Sequence, residues 1–442
     1  MRHAVVLGAG IGGLFAAAAL SEVCERVTVV ERDRLPAGPA QRRGVPQGRH
    51  AHVLVTAGAQ ALDRLFPGAY GELVAAGAPV VRDFAEFRLA PGGGRPLLVR
   101  RRPEQPFACQ VSRPCLEAHL RARLGALSNV ALRDGAAIAG LTATGGRVTG
   151  VSLVRGDDVR ADLVVDATGR GSRAPVWLAE LGYPAPRVER VPIDLVYVTR
   201  QLRPSGALPA KVVGVSARPG RPRGIVLFAQ EQGRAILTVS GYGGHHPPRD
   251  PAGLMATVAE IAPPDVLAAL RAAEPLGDPV LARFPANVRL RYERLRRFPT
   301  GFLVLGDAIC STNPAYALGM SVAALQAEAL RDVLLAGDHD LARRFFPAAT
   351  RPARAAWQAA VGGDLKLPEV PGPRPLPIRL AGVYTGRLLR AAERDPVVAH
   401  QFLRVASLQD PATRLFRPSV AVRAALRGRD LRDSADDRLS GD

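Results

Sequence analysis

The chain has 442 residues, 47% hydrophobic and 22% charged, which is enough apolar side chain for two or three cored domains and excludes a disordered chain. Its 59 basic and 40 acidic residues give a net charge of +19, and only Lys211 and Lys366 are lysines, so arginine carries the excess. That excess fits an arginine-rich solvated face, or an anionic partner or membrane surface. With aromatics at 5% and no basic stripe interleaved with stacking rings, a dedicated nucleic-acid binder is disfavoured.

Ala4–Gly8 is a short apolar run that predicts a buried parallel strand. Gly8-Ala9-Gly10-Ile11-Gly12-Gly13 follows, then an alanine-rich helix over Leu14–Val23 and a strand over Val27–Val30 ending at Glu31. Together these make a βαβ unit. Arg34–Gly48, rich in Pro, Gly and Arg, predicts a loop. A helix is predicted over Val53–Leu65, stopped by Phe66-Pro67-Gly68, and strands over Phe84–Leu89 and Pro96–Arg101. Ser112 caps a predicted helix in which Leu116, Leu120, Leu124 and Leu127 recur. Val130–Arg133, Ala136–Thr144, Arg147–Arg155 and Val159–Val165 read as strands of a meander ending at Asp166-Ala167-Thr168-Gly169.

From about Val188 to Arg291 strand-like runs dominate, at Ile193–Leu202, Lys211–Ala217, Ile225–Ala229 and Ala235–Ser240, which predicts an antiparallel sheet in a second domain. Phe302–Gly306 reads as a buried strand returning to the first domain, followed by a long helix over Met320–Leu335. A helical, arginine-rich piece follows Pro368–Pro377. The four cysteines show no metal-ligand spacing, so no metal is expected, and reduced thiols in a cytoplasm fit them. No signal peptide and no transmembrane segment is read.

Gly8-x-Gly10-x-x-Gly13 gains specificity from its place after a strand and at the start of a helix, with an acid, Glu31, closing the next strand. Such a turn brings a pyrophosphate onto the helix N-terminus, and Glu31 suits a ribose diol. These residues alone leave NAD and FAD both open.

Leu303-Val304-Leu305-Gly306-Asp307-Ala308 and Asn313-Pro314-Ala315-Tyr316-Ala317-Leu318-Gly319-Met320 resemble the second flavin-binding motif of the aromatic-hydroxylase-type flavoprotein monooxygenases. The resemblance implies FAD. It puts Asp307 beside the ribityl and diphosphate region, and the loop and helix start at Gly319 beside the isoalloxazine, where backbone N–H groups would stabilise the anionic reduced flavin. Arg113, in Ser112-Arg113-x-x-Leu116-Glu117, resembles the arginine that contacts the cofactor. The cofactor-side set implied is Gly8, Gly10, Ile11, Gly12, Gly13, Glu31, Arg32, Gln47, Arg113, Asp166, Gly169, Gly306, Asp307, Pro314, Ala317, Leu318, Gly319 and Met320.

Val45-Pro46-Gln47-Gly48-Arg49-His50-Ala51-His52, Asp166–Ser172, Arg291-Tyr292-Glu293-Arg294-Leu295 and the Asn-Pro-x-Tyr stretch are similar to an actinobacterial subgroup that contains polyether-polyketide epoxidases. The fold implied is α/β. A discontinuous Rossmann-like FAD-binding domain covers 1–82, 112–185 and 296–355. An antiparallel β-sheet substrate domain covers 83–111 and 186–295, and a C-terminal helical region covers 356–442. The activity implied is epoxidation or hydroxylation of a lipophilic polyketide or polyene by O2 through a flavin C4a-hydroperoxide. NAD(P)H or a separate flavin reductase would supply the electrons. His50, His52 and Tyr316 are the catalytic candidates, and Phe84, Phe87, Phe107, Tyr197, Phe228 and Tyr316 are candidate cavity walls.

The chain departs from the pattern in two places. Asp166–Gly169 keeps the family's Asp-Gly motif only loosely, and Ala317-Leu318 stand where the subgroup has Gly-Gln. A non-redox cyclase that keeps FAD as scaffold, and an isoprenoid-type flavin reductase, are the competing readings. A halogenase is disfavoured, because no lysine precedes Lys211 and Trp177 and Trp357 form no Trp-x-Trp. The arginines from Arg374 to Arg429 alternate with apolar residues, as in an amphipathic flank beside the cavity, which suits a lipophilic substrate delivered on an acidic carrier.

Overall fold

The computed structural model describes residues 1–100 and 102–428. β1 (His3–Leu7) leads through α1 (Ile11–Ser21) to β2 (Arg26–Val30); α2 (Thr56–Leu65) and α3 (Ala69–Ala75) precede β3 (Phe87–Ala90). α4 (Arg113–Gly125) and β4 (Val130–Arg133) are followed by β5 (Ile138–Thr144), β6 (Arg147–Leu153), β7 (Val159–Arg160), β8 (Leu163–Asp166) and α5 (Ala174–Glu180). Next come β9 (Val188–Arg203), β10 (Val212–Val215), β11 (Arg223–Ala229), β12 (Ala235–Tyr242), α6 (Pro251–Ala259), α7 (Pro264–Ala272), β13 (Glu274–Pro275) and β14 (Val280–Leu290). β15 (Phe302–Val304), β16 (Cys310–Ser311), α8 (Gly319–Leu335), α9 (Leu341–Asp364), α10 (Leu376–Ala392), α11 (Pro396–Ala406) and α12 (Pro418–Arg427) complete the described chain.

A parallel sheet runs in the order β15-β8-β1-β2-β4. Residues 4–7 of β1 and 163–166 of β8 are fully buried, with α1 packed against β1 and β2 and the meander strand β6 packed against β8, which is why these strands read as nearly unbroken apolar runs. The second sheet runs β16-β14-β9-β12-β11-β10-β3, with β13 on β9, and is antiparallel except where β3 meets β10. Register pairs such as Val198 with Val239 and Leu227 with Leu237 put apolar side chains on a face covered by α6 and α7. The Rossmann-like α/β architecture and helical C-terminal region agree with the expectation. No helix among the described residues is long and apolar enough to cross a membrane.

The structure corrects several boundaries. The expected four-strand meander holds only β5, β6 and β7; β4 and β8 belong to the parallel sheet. Val159–Val165 breaks at Asp162, whose carboxylate accepts the amides of Arg2 and His3 at 2.9 and 3.0 Å and so turns the chain toward β1. Pro96–Arg100 is not a strand, and Arg101 lies outside the described residues. The Leu97 amide donates to Leu89 and that of Leu98 to Ala392, so the segment joins no ladder. The helix expected from Val53 begins at Thr56, because Leu54 pairs with Cys109 instead. The boundary expected at 355/356 falls inside α9, a single helix that carries Pro347 and Pro352. At the other end of that expected region, Arg429 and the residues after it lie outside the described residues.

Candidate active site

The strand-to-helix turn after β1 is built for close backbone approach. Gly8 takes a φ of +93°, and a Cβ on Gly13 would stand 1.8 Å from the Gly8 carbonyl oxygen. Gly10 caps α1 without a side-chain hydrogen bond, and no acid occupies the first turn. The first N–H groups of α1 therefore lack intrahelical acceptors, and Ile11 and Gly12 line a cavity of about 2770 Å³. With the positive end of the helix dipole they form a seat for phosphate.

Acids and arginines frame that seat. Glu31 is buried, and its carboxylate accepts the Ala9 amide at 2.9 Å and the Asp33 amide at 3.0 Å. Arg42 closes on it at 3.0 Å, while also reaching Glu117 at 3.1 Å and the Ala9 carbonyl at 2.9 Å. Arg113, at the start of α4, is held by Glu117 at 2.9 Å and extends over Gly10, where a Cβ would stand 3.5 Å from its guanidinium.

A second turn, after β15, lies at the same edge of the parallel sheet and lines the same cavity. The Gly306 amide donates to the buried Gln326 side chain at 2.7 Å, and Gln326 donates on to the Ala349 carbonyl at 3.1 Å. This fixes Asp307 on the cavity wall beside Gly319, where a Cβ would stand 3.4 Å from its carboxylate. The Asp307 carboxylate has no hydrogen bond or ion pair among the described residues, and burial pushes its pKa up despite the nearby charges of Arg170 and Arg113. α8 also begins without a side-chain cap or an acid in its first turn. Ahead of it, Ala317 adopts the left-handed conformation, φ 55° and ψ 30°, which favours glycine.

The loop between these turns is anchored from below. Asn313 donates to Asp364 at 2.7 Å and to the Tyr242 hydroxyl at 2.8 Å, and its amide donates to Asn287 at 2.6 Å. Asn287 donates to the other Asp364 oxygen at 2.8 Å, and the Tyr316 hydroxyl donates to Asp364 at 3.2 Å. Burial outweighs these donors and pushes the Asp364 carboxyl up to about 6.

Among the catalytic candidates, His50 is buried, contacts Thr199 at 2.8 Å and packs edge-on against Tyr197. Burial lowers its pKa to about 4 and that of His52 to about 3. His52 Nδ1 lies 2.9 Å from the His50 carbonyl, so it donates there as a neutral ring. Both histidines and Tyr316 line the cavity.

On the cofactor side, Gly8, Gly10, Ile11, Gly12, Glu31, Arg32, Gln47 and Arg113 also line it. Further along the chain, Gly169, Gly306, Asp307, Pro314, Ala317, Leu318, Gly319 and Met320 do so. Gly13 lies behind the wall, in the helix–strand contact. Asp166 does not reach the cavity: it is fully buried and spends its oxygens on Thr168 and Ser172, at 2.6 Å to each hydroxyl. Phe87, Phe107, Tyr197 and Phe228 line the cavity, and Phe84 packs behind them. Sequence reading missed Arg42, inside a Pro/Gly loop, and Gln326 and Asp364, whose roles depend on distant partners.

Residues 6–71 match a family model described as an NAD(P)-binding Rossmann-like domain. The protein Rv3254 of Mycobacterium tuberculosis is 39% identical over 426 residues, covering 92% of this chain and 90% of that protein. The chain belongs to the Rv3254 family. The fold is shared with solved structures at lower identity. PqsL, a probable FAD-dependent monooxygenase from Pseudomonas aeruginosa, superposes with a TM-score of 0.62 at 19% identity, over 82% of this chain and 95% of that one. The anhydrotetracycline hydroxylase OxyS from Streptomyces rimosus gives 0.62 at 20% identity, over 93% and 76%. The Diels-Alderase PyrE3 of pyrroindomycin biosynthesis gives 0.64 at 18% identity, over 93% and 81%.

Proposed function

We propose that this Rv3254-family protein is an FAD-dependent monooxygenase that epoxidises or hydroxylates a lipophilic secondary metabolite. One observation carries the reading: two uncapped helix N-termini, those of α1 and α8, open on the same cavity, with Asp307, unpartnered among the described residues, on its wall beside Gly319. Phosphate suits the first terminus, an anionic ring the second, and a polyol the carboxylate. The fold shared with PqsL, a probable FAD-dependent monooxygenase, and with the hydroxylase OxyS supports the same chemistry.

Bound FAD would supply the redox chemistry and oxygen activation. Gly10, Ile11 and Gly12 would hold the pyrophosphate, with Arg113 over it. Glu31 would meet the ribose and Asp307 the ribityl chain. The N–H groups of Gly319 and Met320 would face the ring. Phe87, Phe107, Phe228 and Tyr197 would orient the substrate and keep water out, which protects a reactive oxygen donor. The cavity exceeds the roughly 300–1,000 Å³ of an ordinary ligand pocket, leaving room for cofactor and substrate together.

The resemblance to polyether epoxidases supports a polyene-type substrate, and α10 on the cavity wall supports delivery from a carrier. NAD(P)H or a separate reductase would serve as electron source, in a cytoplasmic setting. A second reading is a non-redox cyclase with FAD as scaffold. The left-handed Ala317, which adds a side chain beside the ring site, favours it, as does the fold shared with the Diels-Alderase PyrE3. Titrating the purified protein with FAD tests both: stoichiometric uptake with a perturbed flavin spectrum is expected, and absence of bound or rebinding FAD would overturn them.

A further inference from the structure

Lys366 is singular in this chain. Among 59 basic residues it and Lys211 are the only lysines. Lys211 is accounted for structurally, with its ammonium 2.7 Å from Glu86 and 2.8 Å from the Val80 carbonyl. Lys366 has no side-chain hydrogen bond or ion pair among the described residues, and it lies on the cavity wall. Burial lowers its pKa to about 8, and no acid offsets that effect.

Its position puts it at the substrate end of the cavity. The Lys366 amide donates to the Gly363 carbonyl at 3.2 Å, and Tyr316 packs on Gly363, where a Cβ would stand 2.0 Å from the hydroxyl. Its neighbours Leu365 and Leu367 pack with Tyr197, Tyr242 and Phe284 of the second sheet. Lys366 thus sits where the Asn313–Ala317 loop meets that sheet. The surrounding charges are already engaged or apart. Asp364 accepts from Asn287, Asn313 and Tyr316, while Glu369, whose Oε2 is buried without a hydrogen-bond partner, forms no ion pair with Lys366 among the described residues. Arg374 donates to the carbonyls of Leu365, Leu367 and Val370.

Lys366 is half-buried on the cavity wall, and an ammonium partly desolvated without a counter-charge is costly, a cost that an entering anion removes. We propose that Lys366 is the recognition group for a carboxylate carried by the substrate, which makes the ligand class an apolar carboxylic acid. The inference rests on reading this cavity as the substrate site, and not on the oxidation chemistry.

The test uses FAD-loaded protein and two matched probes, 2-naphthoate and 2-naphthalenemethanol, with affinities measured by calorimetry. The acid is expected to bind roughly tenfold tighter than the alcohol in the parent protein. That ratio is expected to fall to about one in Lys366→Met, with the alcohol unaffected, and to survive largely in Lys366→Arg. Equal binding of both probes by the parent, or an unchanged ratio in Lys366→Met, would overturn the inference. Failure of both probes to bind would instead overturn the cavity's reading as the substrate site. If Lys366→Met does not fold, the same comparison with Lys366→Gln decides.

Discussion

Asn313 and Asp364 lie 51 residues apart in sequence, yet the Asn313 side-chain amide donates to the Asp364 carboxylate at 2.7 Å in the buried interior. This bond ties the Asn313–Ala317 loop to the end of α9, and Asn287 and Tyr316 share the same carboxylate. Removing the Asn313 side chain leaves Asp364 with two of these three donors and strips the Ala315 amide of its acceptor. Asn313→Ala is expected to cost about 2–3 kcal/mol, read as a lower urea midpoint with an unchanged slope.

The same carboxylate sets a pH dependence. Burial raises the folded pKa of Asp364 from 3.8 to about 6, so the folded state keeps a proton that the unfolded chain releases. The stability this gives is complete below pH 3.8 and is lost as the pH rises through 6. Asp364→Asn removes the titration. Measured from about pH 4 to about pH 7, its unfolding free energy should gain on that of the parent by roughly 2–3 kcal/mol. A constant difference across that window would place the titration elsewhere.

His50 and His52 act in the opposite sense. Their folded values, about 4 and about 3, lie below the ordinary 6.5. The contribution is full above pH 6.5 and is lost as the pH falls through the folded values, so acid unfolds the protein partly by charging these rings. His52→Gln should flatten the acid limb of the stability curve. A rate profile of the parent should show no limb near pH 6.5 from either histidine.

Much of this arrangement was legible in the sequence, because its signals are local. Gly8 to Gly13 between an apolar strand and an alanine-rich helix specify one turn, and Glu31 marks the end of the next strand. Leu303–Asp307 declares itself in the same way. What escaped notice depends on distant partners. Asp364 ends a helix disguised by Pro347 and Pro352, residues that ordinarily break one. Gln326 is one polar residue in a helical pattern, and its two bonds go to Gly306 and Ala349. Asp166 misled for the converse reason: it ends a central strand in a motif position, but its neighbours Thr168 and Ser172 consume its oxygens.

Ala317 offers a test of local strain. A non-glycine residue in the left-handed region costs about 1–2 kcal/mol. Ala317→Gly should therefore raise the melting temperature, because that relief exceeds the roughly 0.4–1 kcal/mol that glycine's added freedom in the unfolded chain costs. Under the monooxygenase reading it should also ease the backbone's approach to the flavin, seen as a shift in the flavin absorption bands.

Arg113 should matter for cofactor retention more than for folding, since its guanidinium reaches over the α1 N-terminus. Arg113→Ala is expected to weaken FAD binding roughly tenfold, with reduced dependence on salt. Gly13→Ala should prevent the strand–helix turn from forming and leave little soluble protein.

Oxygen insertion by a flavoprotein is the central claim. Its most direct test is to supply FAD-loaded protein with a reductant, a candidate polyene and ¹⁸O2, and to weigh the product. Incorporation of one ¹⁸O atom, dependent on the reductant, is the predicted result. An isomer of unchanged mass, formed equally well without reductant or oxygen, would contradict it and establish the cyclase in its place.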